Sequence, residues 1–320
     1  MASTDQLRDP WLVAAWPGLG GVAVIAATHL IRTLGAEPVH TLAGEKYFDL
    51  RQIDVRQGIA SAPRLPTGYF YEWRNPADGR DLLIFIAEAQ PDTGSGAMCR
   101  EILEYARRRG VTRLVTFASL GTQLHPTDDA DVHAVATDRD VLAEVGRAGA
   151  EPLAEGQIGG LNGVLLGVGK GESLPGACLM AEIPYFAGGV PNPKAAAAAL
   201  AVFGALADLH IDLAELIAQG EAVDQQLLEL FERLGGEEQF PGVGAPDEED
   251  EILADAPEQR EQRESKREPI DYATRERLEQ MFADARRDRA KAIELKRELD
   301  RLGVFKQYED RFLDLFKRAE

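Results

Sequence analysis

Short runs of purely apolar residues alternate with amphipathic stretches along the first two thirds of the chain. Residues 12–16 (LVAAW) are apolar throughout, break at PGLGG, and resume as an apolar-rich run from Val22 to Leu34 that stops at Gly35. This predicts a strand, a tight turn and a helix, with Gly35 as the helix's C-terminal cap. Residues 38–43 and 53–60 carry further strand patterns, and GYFYEW at 68–73 is aromatic and β-prone before a turn at 75–79. LLIFIA at 82–87 is apolar at every position, as a strand covered on both faces must be. A polar loop at 91–96 then opens a helix to about Arg109. Strands are predicted again at 113–118, 132–136 and 177–183, and helices at 138–147, 193–209 and, as one or two pieces, 212–234. A glycine-rich segment, 156–163, leads into the apolar run 164–168. Strands alternating with helices in this way predict an α/β domain around a mixed or mostly parallel sheet.

After Gly235 and Gly236 the pattern changes. Residues 237–269 are acidic, with EE and DEEDE runs, Pro and Gly, and too few apolar groups to bury, so they read as a flexible linker between a domain at 1–236 and a C-terminal piece at 270–320. In that piece Leu278, Phe282, Leu295 and Leu299 recur at helical spacings, and after Gly303 Phe312 and Phe316 fall on one side of a shorter segment. The stripe either folds back as a helical hairpin on its own domain or offers an oligomer or partner face.

Charge narrows the functions open to the chain. Its net charge is -19 over 320 residues, with pI ≈ 4.8, which disfavours nucleic-acid binding because phosphate contacts need clustered Lys and Arg. Two cysteines, Cys99 and Cys178, make no disulfide framework and fit a reducing, cytoplasmic setting. The first ten residues lack the basic start of a signal peptide. Trp11 to Ile31 is uncharged and long enough to span a bilayer, but Pro17, Gly18, Gly20 and Gly21 break it, so no membrane span is expected.

The two glycine-rich turns carry the chemistry worth weighing. Gly18 to Ala23 fits G-x-G-x-x-A between a strand and a helix, the setting of a dinucleotide fingerprint, although Glu45 is the best available acid for a ribose. Otherwise it is a tight turn where glycines permit close packing. The second, Gly156 to Gly163, lacks the Lys-Ser or Lys-Thr of a phosphate loop; it reads as a backbone crossing or as a small-anion site.

Taken together, Trp16-Pro17-Gly18-Leu19-Gly20-Gly21-Val22-Ala23 resembles the opening of proteins of the PAC2 family, named for proteasome assembly chaperone 2. Gly156-Gln157-Ile158-Gly159-Gly160-Leu161-Asn162-Gly163 is similar to its G-x-I-x-G-L-N-G signature. Glu182-Ile183-Pro184 with Asn192-Pro193-Lys194 resembles its closing element, where the family often has Asp-Pro; Asn also caps helices. The resemblance spans about residues 8–235. It implies a three-layer α/β/α domain similar to nucleoside phosphorylases, a homo-oligomer, and a non-enzymatic, assembly-chaperone-like role on protein partners, with no cofactor. Some archaeal relatives dock on the proteasome through a terminal hydrophobic–Tyr–any-residue tail; this sequence ends Lys317-Arg318-Ala319-Glu320, with Tyr308 too far back.

No catalytic set stands out. Neither Ser95 nor Ser119 lies in G-x-S-x-G. His125, Asp128, Asp129, Asp131 and His133 crowd one segment, a metal reading set against a solvated loop. Glu88 ends a central strand, where open α/β sheets bind ligands, or it caps a neighbouring helix. A ligand or interaction site, if the fold carries one, is expected around Pro17, Gly18, Gly20, Glu88, Ser119, Gly121, Gly159, Gly160 and Asn162. The alternatives to a binding protein are a small-molecule enzyme on a nucleoside-phosphorylase-like frame and a nucleotide binder at Gly18–Ala23.

Overall fold

Strand β1 (Trp11–Ala15) shows how the layers arise. Its side chains alternate across the sheet, so Trp11, Val13 and Ala15 enter one core while Leu12 and Ala14, followed by Trp16, enter another. A strand buried on both faces has no use for polar residues, which is why LVAAW and LLIFIA contain none. This is a computed structural model, and it describes residues 6–50, 53–91, 93–233, 278, 281, 282, 291 and 295. The chain divides into two compact units, Met1–Asp255 and Ala256–Glu320.

In the first unit β1 is followed by α1 (Val22–Leu34), β2 (Glu37–Leu42), β3 (Val55–Arg56), β4 (Ile59–Ala60), β5 (Gly68–Trp73), β6 (Leu82–Ala87) and α2 (Ser95–Arg108). Then come β7 (Arg113–Thr122), β8 (Val132–Ala136), α3 (Arg139–Arg147), β9 (Glu151–Pro152), α4 (Gly160–Gly171), β10 (Gly176–Pro184), α5 (Pro193–Ala207) and α6 (Ala214–Arg233). Eight strands form one sheet in the order β2-β5-β6-β1-β7-β10-β8-β9. The central pairs β6–β1, β1–β7 and β7–β10 are parallel, whereas β2–β5, β5–β6 and β10–β8 are antiparallel. Helices α1, α3 and α5 cover one face and α2 and α4 the other, giving the three-layer α/β/α fold with a mixed, largely parallel sheet. The edge strand β2 carries Pro38 and a register shift before His40, both of which discourage pairing with another chain.

Local capping follows the sequence closely. Gly35 ends α1 at φ 70°, its N–H returning to the Ile31 carbonyl. Asp138 starts α3 by accepting the Asp140 and Val141 N–H groups, and Asn192 starts α5 by accepting that of Ala195. The run 164–168 belongs to α4, whose first turn lies inside the glycine-rich segment. Glycine weakens a helix by about 1 kcal/mol each, and burial of Leu161, Leu165 and Leu166 offsets that here.

Two expectations need correction. Residues 53–60 are not one strand but the hairpin β3–β4, turned through Gln57 and Gly58 at positive φ, because this segment has no buried face to hold it in the main sheet. β7 continues to Thr122, four residues past the apolar run, because β10 pairs with it as far as Pro184. The span from Trp11 to Ile31 is strand, turn and helix, and among the described residues no helix is long and apolar enough to cross a membrane. In the second unit Leu278, Phe282 and Leu295 are buried. Leu299, Phe312, Phe316 and the acidic segment 237–269 lie outside the described residues.

Candidate functional site

Beyond the carboxyl ends of β1 and β6, and beside the outer half of β7, the two glycine-rich turns meet. There a small cavity is lined by Gly18, Leu19, Gln90, Ser119, Gly159 and Asn162, among others. Its enclosed volume is about 20 Å³, room for roughly one water. Beside it opens a shallow cleft of about 400 Å³, lined by residues including Pro17, Gly18, Glu88 and Gln90.

The polar groups around the cavity are engaged with the chain's own backbone. The Trp16 N–H donates to Asn162 Oδ1 at 3.1 Å, and Asn162 Nδ2 donates back to the Trp16 carbonyl at 3.4 Å. Gln90 Nε2 donates to the Pro17 carbonyl while its Oε1 accepts the Leu161 N–H, each at 2.9 Å. Ser119 Oγ donates to the Leu19 carbonyl. Gly20 gives its N–H to Gly188 and accepts that of Asn192, both at 2.7 Å, and the Gly21 N–H closes on the Gly18 carbonyl. Gly20 and Gly21 both stand at φ 62°, a left-handed geometry that glycine adopts without strain. Three side chains therefore tie the loop after β1 to β7, to the end of β6 and to the start of α4.

This geometry speaks against a dinucleotide at the first turn. The N–H groups of Gly20 and Gly21, which would have to face a pyrophosphate, are already used by the Gly188 and Gly18 carbonyls. Of the residues expected at a site, Gly18, Ser119, Gly159 and Asn162 line the cavity, and Pro17, Gly18 and Glu88 line the cleft. Gly20 packs beneath them against Ile183 and Asn192. Gly160 is the first residue of α4, and Gly121 sits beside Tyr185, away from the cavity lining.

Of the two readings of Glu88, the helix cap is not found. Its carboxylate accepts from the Arg64 guanidinium at 2.8 and 3.0 Å, the Thr67 N–H at 3.0 Å and the Tyr69 hydroxyl at 3.2 Å. Antiparallel pairing of β5 with β6 places Gly68 opposite Ala87, so the segment entering β5 reaches Glu88. Sequence reasoning also missed the bridge made by Gln90; a polar side chain just beyond a wholly apolar strand was the available signal.

The remaining candidates are dispersed. His125 Nδ1 pairs with Thr127 at 2.8 Å, and its ring meets Phe231 edge-on. His133 faces Glu182 at 3.2 Å. Among the described residues no three or more His, Cys, Asp or Glu side chains are placed to hold a metal ion. Ser95 opens α2, and Glu45 lies exposed beyond β2. Burial pushes the thiols of Cys99 and Cys178 up to about 12 and about 11, so neither is poised as a nucleophile.

Several carboxylates are held below their ordinary range. For Glu101 the first cause is the Lys46 ammonium, then the Tyr47 hydroxyl. At Glu88 burial pushes upward, but Arg64, the Thr67 N–H and Tyr69 together outweigh it. Asp138 is lowered by the Val141 N–H and then by Thr137. Groups with depressed folded values stabilise the fold above the unfolded carboxylate range, near pH ~4, and that contribution is lost as pH falls through the lower folded values. The urea midpoint is expected to drop as pH falls below about 4. An unchanged midpoint at about pH 3 would show that these contacts do not hold the fold.

The comparisons with known proteins agree with this architecture. The family model described as PAC2 family matches residues 12–231. An uncharacterized protein of Methanocaldococcus jannaschii is 25% identical over 228 residues, 69% of this chain and 83% of that protein. The crystal structure of Pyrococcus furiosus PbaB, an archaeal proteasome activator, superposes with a TM-score of 0.61 at 26% identity, covering 71% of this chain and 96% of that one. A proteasome-assembly chaperone homologue from Mycobacterium tuberculosis shares the fold, with a TM-score of 0.60 at 24% identity over 69% of this chain and 94% of its own.

Proposed function

This chain belongs to the PAC2 family, and from that premise we propose that it is a non-enzymatic, assembly-chaperone-like protein that binds protein partners. One observation carries the reading. At the place where an open α/β sheet would hold a substrate, Asn162, Gln90 and Ser119 are tied to the backbone of the chain itself. A catalytic site needs a group aimed at a reacting atom, and here these three side chains brace loops instead. The likeness to an archaeal proteasome activator supports proteasome subunits as the class of partner.

The test uses the full chain and purified proteasome core subunits of its own source organism, mixed and separated by size. A complex that co-migrates, together with no change in melting temperature on adding nucleosides and phosphate, is the expected result. No complex, combined with a melting shift by a nucleoside plus phosphate, would overturn the reading in favour of a small-molecule enzyme acting at the Glu88 cleft.

A further inference from the structure

Helix α5 has no polar side chain between Lys194 and Asp208. A helix apolar on every side belongs inside a core. Its inner side is there, with Ala196, Ala199, Leu200 and Phe203 buried. Its outer side is not: Ala201 and Ala205 are exposed and Ala198 only half-buried. Between α5, α6 and the loop at 127–130 runs a groove of about 490 Å³. Ala197, Ala198 and Ala201 form its floor, and Leu213 and Ile217 its wall; Ile217 is 51% exposed.

The rim is acidic. Asp129, Glu221 and Asp224 line it with a single cation, Lys194, whose Nζ is taken by Asp224 at 3.0 Å. Asp129 and Glu221 are left exposed, with no ion-pair partner among the described residues. An alanine floor lets another helix approach to about 8 Å between axes. The unpaired carboxylates call for positive charge beside that helix. A second copy docking by the same face would set these carboxylates against their own duplicates, on a chain of net charge -19.

We propose that this groove docks an amphipathic helix of a protein partner, one whose small apolar stripe is flanked by Lys or Arg. This rests on the reading that the chain acts on proteins, and it specifies the element that is bound.

The probe is a fluorescent peptide of about 18 residues, five helical turns, with Ala and Leu at i, i+3, i+4 and i+7 and Lys beside them. Binding to the full chain is read by anisotropy at about 50 and about 300 mM salt, against a scrambled peptide and one with Glu for Lys. Saturable, salt-weakened binding of the Lys helix alone is expected. Ala201→Trp, which fills the groove, and Glu221→Lys, which reverses its rim, should each weaken it about tenfold or more. Both positions are exposed, so melting temperatures should hold; Ile217→Ser serves as a third variant. Equal binding by the scrambled or acidic peptide, or undiminished binding by all three variants, overturns the proposal. So does sedimentation showing that Ala201→Trp converts an oligomer to a monomer, which would give this face to a second copy. Lost peptide binding in Ala201→Trp with retained proteasome-subunit binding would place that contact elsewhere, overturning the groove's role there and leaving the assembly reading intact.

Discussion

Asn162→Leu is expected to lower the unfolding free energy by about 3 kcal/mol, from the usual ~1–3 kcal/mol for each buried polar group left unpaired. Leucine matches asparagine in size but neither accepts the Trp16 N–H nor donates to its carbonyl, so both buried backbone groups of Trp16 lose this partner at once. Trp16 is wholly buried and packs on Phe85 at 5.2 Å, so slack in its backbone should also loosen a large part of one core. Urea unfolding followed by tryptophan fluorescence reads the loss directly. A midpoint within experimental error of the parent would mean that water replaces the side chain there and that the brace is dispensable.

Gly163→Val should cost about 2–3 kcal/mol, the range for forcing extra carbons into a packed site. A Cβ at position 163 would stand 2.4 Å from Ile158 Cγ2 and 2.9 Å from the Ile158 carbonyl oxygen. The Cγ2 methyl can turn away, but the Ile158 Cβ, at 2.6 Å, and the carbonyl are fixed to the loop entering α4. Ile158→Ala in the same chain should therefore recover only part of the loss. A double-mutant cycle measures that coupling, and strictly additive effects would show that the two residues do not collide.

These two residues show what a sequence discloses and what it withholds. Gly163 could be read as a position where a side chain does not fit, because close approach of backbone to a neighbour is a common use of glycine in such a run. The identity of the neighbour, Ile158, was not readable. Asn162 was flagged within a family-like signature, yet its partner lies 146 positions away, and no local pattern encodes that pairing. The same limit separates the strands from their neighbours. The apolar runs at 82–87 and 113–118 disclosed that β6 and β7 are buried, since burial is a property of composition. They did not disclose that β1 lies between them. The helix-capping alternative for Glu88 fails for a related reason: its place at the end of a strand is local, whereas Arg64 and Tyr69 reach it only through sheet pairing. The groove beside α5 went unnoticed because an alanine-rich run reads as core, and only the fold reveals which alanines stay outside. The hairpin at 53–60 was misjudged because strand propensity says nothing about whether a buried face is available.

The place of β1 bears on the order in which this chain can fold as it is made. Its five residues are synthesised well before its parallel neighbours, Leu82–Ile86 and Arg113–Thr116. A nascent chain stopped before position 82 has neither flank for its central strand, and one stopped before position 113 has a single flank. Closing loops of that length must precede any reward from sheet pairing, which delays assembly. β1 therefore waits for its second flank while about a hundred residues follow it from the ribosome. A protein that we read as an assistant to assembly is itself, during synthesis, exposed to the hazards of a late-closing sheet.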